Sequence, residues 1–193
     1  MVRNNVMYRS MQSALTTRDG ETNEAPVIEG YFAVFDSDYD MGYGMSESIA
    51  PGAFSETLSG DVRALIDHDT RLVLGRTTAH TLELREDSHG LWGKIYINPK
   101  DSEAMNLYER VKRGDVSQCS FGFEILSEET TFPADGEIHW RITKTKLYEV
   151  SCCTYPAYEE TGISARKKDR EQIEKRKSEA WKSALLKKLK GEK

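Results

Sequence analysis

Residues 116–126 read VSQCSFGFEIL. In an extended strand successive side chains point to opposite faces, so Ser117, Cys119, Phe121, Phe123 and Ile125 share one face and Gln118, Ser120, Gly122 and Glu124 the other. The first face is that of a core, and a strand apolar on one side only belongs to a half-buried sheet. Working outward, β-branched and aromatic residues recur in short runs: residues 28–36 (IEGYFAVFD), Val62–Ile66, Leu72–Leu74, His80–Arg85, Leu91–Ile97 and Ile138–Thr154. Asp-Ser-His-Gly at 87–90 reads as a hairpin turn, Phe132–Gly136 as a second connection, and the Gly- and Asp-rich stretch Ser37–Gly44 as a loop. One internal helix interrupts the strands. Asp101 or Ser102 caps it, Met105, Leu107, Tyr108 and Val111 supply its apolar positions, and Gly114 ends it. The predicted fold class is mainly β with flanking helices (α+β).

Composition fits one such domain with room for a tail: 193 residues, 38% hydrophobic and 31% charged, with 14 Gly and 5 Pro. No run approaches the roughly 20 apolar residues that span a bilayer, and Met1–Thr17 mixes Arg3, Asn4, Asn5, Arg9 and Gln12 among its apolar residues, which argues against a membrane or Sec-exported protein. Three cysteines, Cys119, Cys152 and Cys153, make neither a disulfide framework nor a zinc site at usual spacing, so a reducing, intracellular setting is expected. The net charge of −5 conceals a division: residues 166–193 hold 12 basic and 5 acidic side chains, a net +7, leaving −12 for the 165 residues before them. Residues 1–26, polar and without periodicity, read as a flexible arm, 27–162 as the β domain, and 163–193 as a basic helical tail with Ile173, Ala180, Trp181, Ala184, Leu185 and Leu189 near helical spacing. No internal repeat of solenoid or propeller length is present.

Three residues stand out for chemistry. Ser120 lies on the polar face beside Gly122, whose missing side chain leaves a nucleophile accessible; the plain alternative is a half-exposed strand serine. His68, in Ala64-Leu65-Ile66-Asp67-His68-Asp69, follows a short apolar run and so sits at a strand end, where an imidazole held in one orientation can act as a base. No second His or Cys lies at ligand spacing near it, which argues against a metal. Glu149 is a lone carboxylate in the middle of a strand, costly to bury without an imidazolium or an arginine such as Arg63, Arg76 or Arg141. Nucleophile, base and orienter on separate strands make a triad recognised by geometry, not by chain order. Ser117 competes with Ser120 but is expected to point into the core. The cysteines read as structural thiols, and His80, His89 and His139 as structural or surface histidines. No nucleophile elbow, phosphate loop or dinucleotide fingerprint is present, so nucleotide chemistry is unsupported.

Several segments in order carry a resemblance. Gly30–Asp36 followed by Glu47-Ser48-Ile49-Ala50-Pro51-Gly52-Ala53-Phe54 resembles the opening signature of the prohead proteases of tailed bacteriophages. Leu65–Asp69 with Leu74-Gly75-Arg76-Thr77 resembles their histidine segment, and Ser117–Phe123 their serine segment. Leu147–Ser151 with Tyr155-Pro156-Ala157-Tyr158 resembles their last core strand. The family is grouped with the herpesvirus capsid-maturation proteases, so the resemblance implies a small β barrel of the herpesvirus-protease type surrounded by helices, to which the composition of the tail adds a charged C-terminal helix. It implies His68 as general base and Ser120 as nucleophile. The herpesvirus relatives use a second histidine at the third position, where this chain offers Glu149, and His139 is the outside choice. By the same resemblance the substrate and partner are the scaffolding segment of the major capsid protein and the chain itself. The setting is the procapsid in the host cytoplasm, with neither cofactor nor metal, room for a homo-oligomer, and a tail removable by self-cleavage. Two other classes are weighed against this. A non-catalytic assembly factor with a capsid-binding helix has no need of all three residues. A nucleic-acid-binding module is disfavoured by the acidic body.

Overall fold

The computed structural model describes residues 6–12, 15–19, 25–134, 136–155 and 160–189, and the chain divides into two units, Met1–Tyr158 and Glu159–Lys193. The first unit contains, in order, β1 (Met7–Gln12), β2 (Thr16–Arg18), β3 (Val27–Val34), β4 (Tyr39–Gly42), β5 (Met45–Ile49), β6 (Arg63–Ile66), β7 (Asp69–Arg76), β8 (Leu82–Glu86), β9 (Gly90–Tyr96), α1 (Ser102–Arg113), β10 (Gln118–Thr131) and β11 (Ile138–Cys153). The second contains α2 (Glu160–Leu189), on which Trp181, Leu185 and Leu186 are exposed.

The larger sheet is built on the ribbon of β10 and β11, which pair antiparallel along their lengths. On its other side β11 pairs parallel with β5 over Ile138–Ile142, and again parallel with β6 over Glu149–Cys152. β4 pairs outside β5, β7 outside β6, and β1 lies antiparallel on the free edge of β10. The smaller sheet runs β2-β3-β9-β8. A closed barrel is therefore not what forms among the described residues. β11 is shared by two separate partners on one side, so the larger sheet forks and does not curl back onto its own edge.

The apolar alternation read from 116–126 is realised: Cys119, Phe121 and Phe123 are buried, with Phe121 stacked on Phe123 and Phe54 set edge-on against Phe121. Burying each such ring contributes on the order of 2–3 kcal/mol. Helix α1 adds Leu107, Tyr108 and Val111 to this core. Its start is fixed by Asp101, whose carboxylate accepts from Glu103 N and Ala104 N, and its end by Gly114 at φ 88°. The 87–90 turn joins β8 to β9 as expected. The segment expected to be a flexible arm instead contributes β1 and β2, because each finds backbone partners on an existing sheet edge, a source of order that side-chain periodicity does not report. The expected 37–44 loop likewise contains β4.

Candidate active site

β6 and β7 are joined by Asp67-His68 alone, with Ile66 opposite Asp69. Both turn residues have positive φ, 46° and 61°, the geometry that matches strand twist and is usually filled by Asn-Gly. A side chain held there costs on the order of 1–3 kcal/mol and persists only where neighbours enforce it. The end of β11 does so. Asp67 N donates to Cys152 O (3.1 Å), Thr154 N and Oγ1 donate to the Asp67 carboxylate (2.8 and 3.1 Å), and His68 N donates to Ser151 Oγ (3.3 Å). The imidazole is thereby fixed against the sheet.

Glu149 Oε1 lies 2.7 Å from His68 Nδ1, and Ser151 Oγ donates to Glu149 Oε2 at 2.5 Å. An ionised carboxylate only accepts, so Nδ1 is the donor in this contact, and Nε2, which has Cys153 Sγ 3.8 Å away, is the nitrogen left for a base. Glu149 reaches this face through a bulge. Gly122 is opposite Glu149 but Phe123 is opposite Leu147, so Tyr148 is an extra residue and the inward phase moves from Leu147 to Val150 and Cys152. His139 does not substitute for Glu149. It lies ten residues away along the same strand, with Ser46 Oγ 2.8 Å from Nδ1 and Ser48 Oγ 3.0 Å from Nε2.

Ser120 is opposite Ser151 on one side and Ser10 on the other, on the face that carries Glu149. It is fully buried, not half-exposed, because β1 lies along its strand; Oγ donates to Arg9 O at 2.9 Å. Among the described residues no hydrogen bond joins Ser120 to His68. The bare backbone of Gly122 is filled by its neighbours and does not leave an opening. A Cβ there would stand 2.5 Å from Glu149 Oε1 and 2.9 Å from Tyr8 Cε1, so the missing side chain accommodates the carboxylate and the tyrosine ring. Ser117 is exposed and precedes β10, so it does not point into the core.

Cys153 Sγ lies 3.8 Å from His68 Nε2, close enough to raise a thiol alternative. Burial pushes that thiol well up, and the Asp67 and Glu149 carboxylates add to the effect, which keeps it protonated and a poor nucleophile. Burial raises Cys152 in the same way. The arginines considered as partners of Glu149 are engaged elsewhere: Arg76 and Arg63 on Asp61, Arg141 on Asp36. Arg76 holds the Asp61 carboxyl down at about 2.

Sequence reasoning missed Ser151, which steadies both the carboxylate and the turn, although it stands two residues from Glu149. It also missed Tyr8, whose ring meets His68 edge-on with centroids 4.5 Å apart; burial, then the Glu149 charge, raise the Tyr8 hydroxyl. No strand signal marked Tyr8.

A histidine–carboxylate pair fixed on a sheet face is one element of nucleophilic hydrolases, and Ser120 lies on that face without a hydrogen bond to the imidazole. Residues 13–176 match the Caudovirus prohead serine protease family, and the chain belongs to that family. The prohead protease of Enterobacteria phage HK97 is 34% identical over 158 residues, covering 78% of this chain and 63% of its own length. The chain thus spans less than two thirds of that relative. The capsid assembly protease of bacteriophage T4 is 10% identical, with a TM-score of 0.43 over 76% of this chain and 97% of that one, a likeness too low to establish a common fold.

Proposed function

We propose that this chain is a serine endopeptidase that cleaves the scaffolding segment of a phage major capsid protein, and itself, inside the procapsid during maturation. Ser120 is the nucleophile, His68 the general base and Glu149 the group that orients the imidazole and stabilises its charged form. The carrying observation is the 2.7 Å contact of Glu149 with His68 Nδ1, which leaves Nε2 as the base on the face that holds Ser120. Membership of the prohead protease family supports the substrate class. In the reaction Ser120 Oγ turns from its present acceptor, bonds to the scissile carbonyl carbon and passes its proton to Nε2; the leaving amine takes that proton, and water then releases the acyl group. The basic segment 163–193, with its net charge of +7, serves as the part removed by self-cleavage.

The test is co-expression of the full chain with its capsid protein, as wild type and as Ser120→Ala, with intact masses of both proteins. Shortening of both by wild type and of neither by Ser120→Ala supports the reading and gives the cleavage sites. Equal trimming by the two variants removes Ser120 from the role. No trimming by either returns the chain to the class of assembly factors.

A further inference from the structure

β1 has features that a plain edge strand does not need. It runs antiparallel to β10 with Tyr8 opposite Gly122, Arg9 opposite Phe121 and Ser10 opposite Ser120. The acceptor of the Ser120 hydroxyl is the carbonyl oxygen of Arg9, at 2.9 Å. One residue earlier, the Tyr8 ring rests edge-on against His68. The Arg9 side chain turns to the other face and is 6% exposed; its Nε and Nη2 donate to the two carboxylate oxygens of Glu47 at 2.6 and 3.0 Å. The guanidinium lies 5.9 Å from the Tyr39 ring centroid and 5.8 Å from that of Phe123, and Arg9, Asp38, Tyr39, Glu47 and Phe121 are among the residues lining a cavity of about 200 Å³.

Glu47 is 1% exposed, and a carboxylate so buried is costly unless a cation meets it. The cation comes from a strand whose backbone carbonyl touches the nucleophile and whose preceding side chain covers the base. An extended peptide added to the β10 edge in this register presents its carbonyl to Ser120 and its side chain to Glu47 together. We propose that β1 is a substrate-like strand lying in the chain's own cleft, and that Glu47 selects a basic side chain, arginine or lysine, immediately N-terminal to the bond that Ser120 attacks. This rests on the protease reading above and gives it a specificity. At such a bond the Oγ–carbon bond forms as the hydroxyl proton passes to His68 Nε2. The carbon–nitrogen bond breaks as that proton passes to the departing amine, and one water completes hydrolysis, restoring the serine hydroxyl.

The experiment uses the full chain and two quenched peptides, one with the sequence of residues 6–12 (VMYRSMQ) and one with its arginine replaced by glutamine. Wild type is expected to cut the first between arginine and serine, with kcat/KM about 100-fold above that for the second. Glu47→Gln is expected to erase that preference by lowering cleavage of the arginine peptide alone. Arg9→Gln, which loosens β1, is expected to lower the apparent KM for the arginine peptide about tenfold. Cleavage of both peptides within threefold of each other, or at a different bond, overturns the inference and leaves Arg9–Glu47 as a structural ion pair. The wild-type comparison decides this even if Glu47→Gln does not fold. Ser120-dependent trimming of the capsid protein with no cleavage of either peptide overturns the specificity alone. Loss of both overturns the protease reading along with it.

Discussion

Gly122→Ala tests the geometry of the site through a single methyl group. The new Cβ would stand 2.5 Å from Glu149 Oε1, whereas ordinary contact begins at 3.4 Å, so the carboxylate must retreat by about 1 Å. That retreat stretches the 2.7 Å contact with His68 Nδ1 to or past the limit of a hydrogen bond. Loss of a charge-assisted bond is worth about 1.5–3 kcal/mol. A misplacement of about 1 Å near the chemistry costs on the order of 100-fold in rate, which agrees with that range. The groups that must move are a carboxylate tip and the Tyr8 ring, so the fold absorbs the clash itself, and loss of the bond lowers Tm by roughly 3–12 °C. The assay is the rate at which a fluorophosphonate labels Ser120, read by intact mass, in four proteins: wild type, Gly122→Ala, Glu149→Ala and the double variant. Gly122→Ala is expected to label about 100-fold more slowly than wild type, yet to add nothing further in the Glu149→Ala background. A Gly122→Ala loss that persists undiminished in that background would refute the carboxylate as the intermediary.

Glu149→Gln retains the shape and removes the charge; at an effective dielectric near 20 that charge is worth about 4 kcal/mol to the imidazolium, so labelling and capsid trimming should fall about 1,000-fold. Cys153→Ala should stay within about threefold of wild type, and the native Cys153 thiol should resist iodoacetamide until the chain unfolds, since burial keeps it protonated. Asp61, held down at about 2 by Arg76 in the fold against an ordinary 3.8, contributes stability above its unfolded value and loses it as pH falls through the folded one. Urea midpoints of wild type and Asp61→Asn should therefore differ above pH 3.8 and converge toward pH 2.

The strands that sequence made legible are those with an apolar face to bury. β3, β6, β9, β10 and β11 carry such faces, and α1 announces itself through Asp101 and Gly114. β1, β2 and β4 were not legible because their order comes mainly from backbone pairing at sheet edges. β5, MSESI, buries Glu47 and Ser48 along with its apolar residues, which defeats an alternation test. At the site, His68 was found because it follows a short apolar run and so sits at a strand end, and Glu149 because a carboxylate in an apolar strand needs a partner. What stayed hidden was long-range. That β1 lies over Ser120, that Tyr8 meets His68, and that Arg9 neutralises Glu47 are contacts across 38 or more residues, beyond the reach of local pattern.

The extra residues at Thr143 and Tyr148 give β11 three reading frames, and the shift at Tyr148 is the one that places the carboxylate. Before it, Leu147 is inward; after it, Val150 and Cys152 are inward, which frees Glu149, Ser151 and Cys153 for the opposite side. Unbroken alternation from Leu147 would aim Glu149 into the core. In β11, then, changing a letter and changing the count of letters are different kinds of event. Replacing Tyr148 removes a hydrogen bond to Glu124 but keeps the frame, whereas deleting it is expected to turn the carboxylate inward and cut the tie to the turn that carries His68.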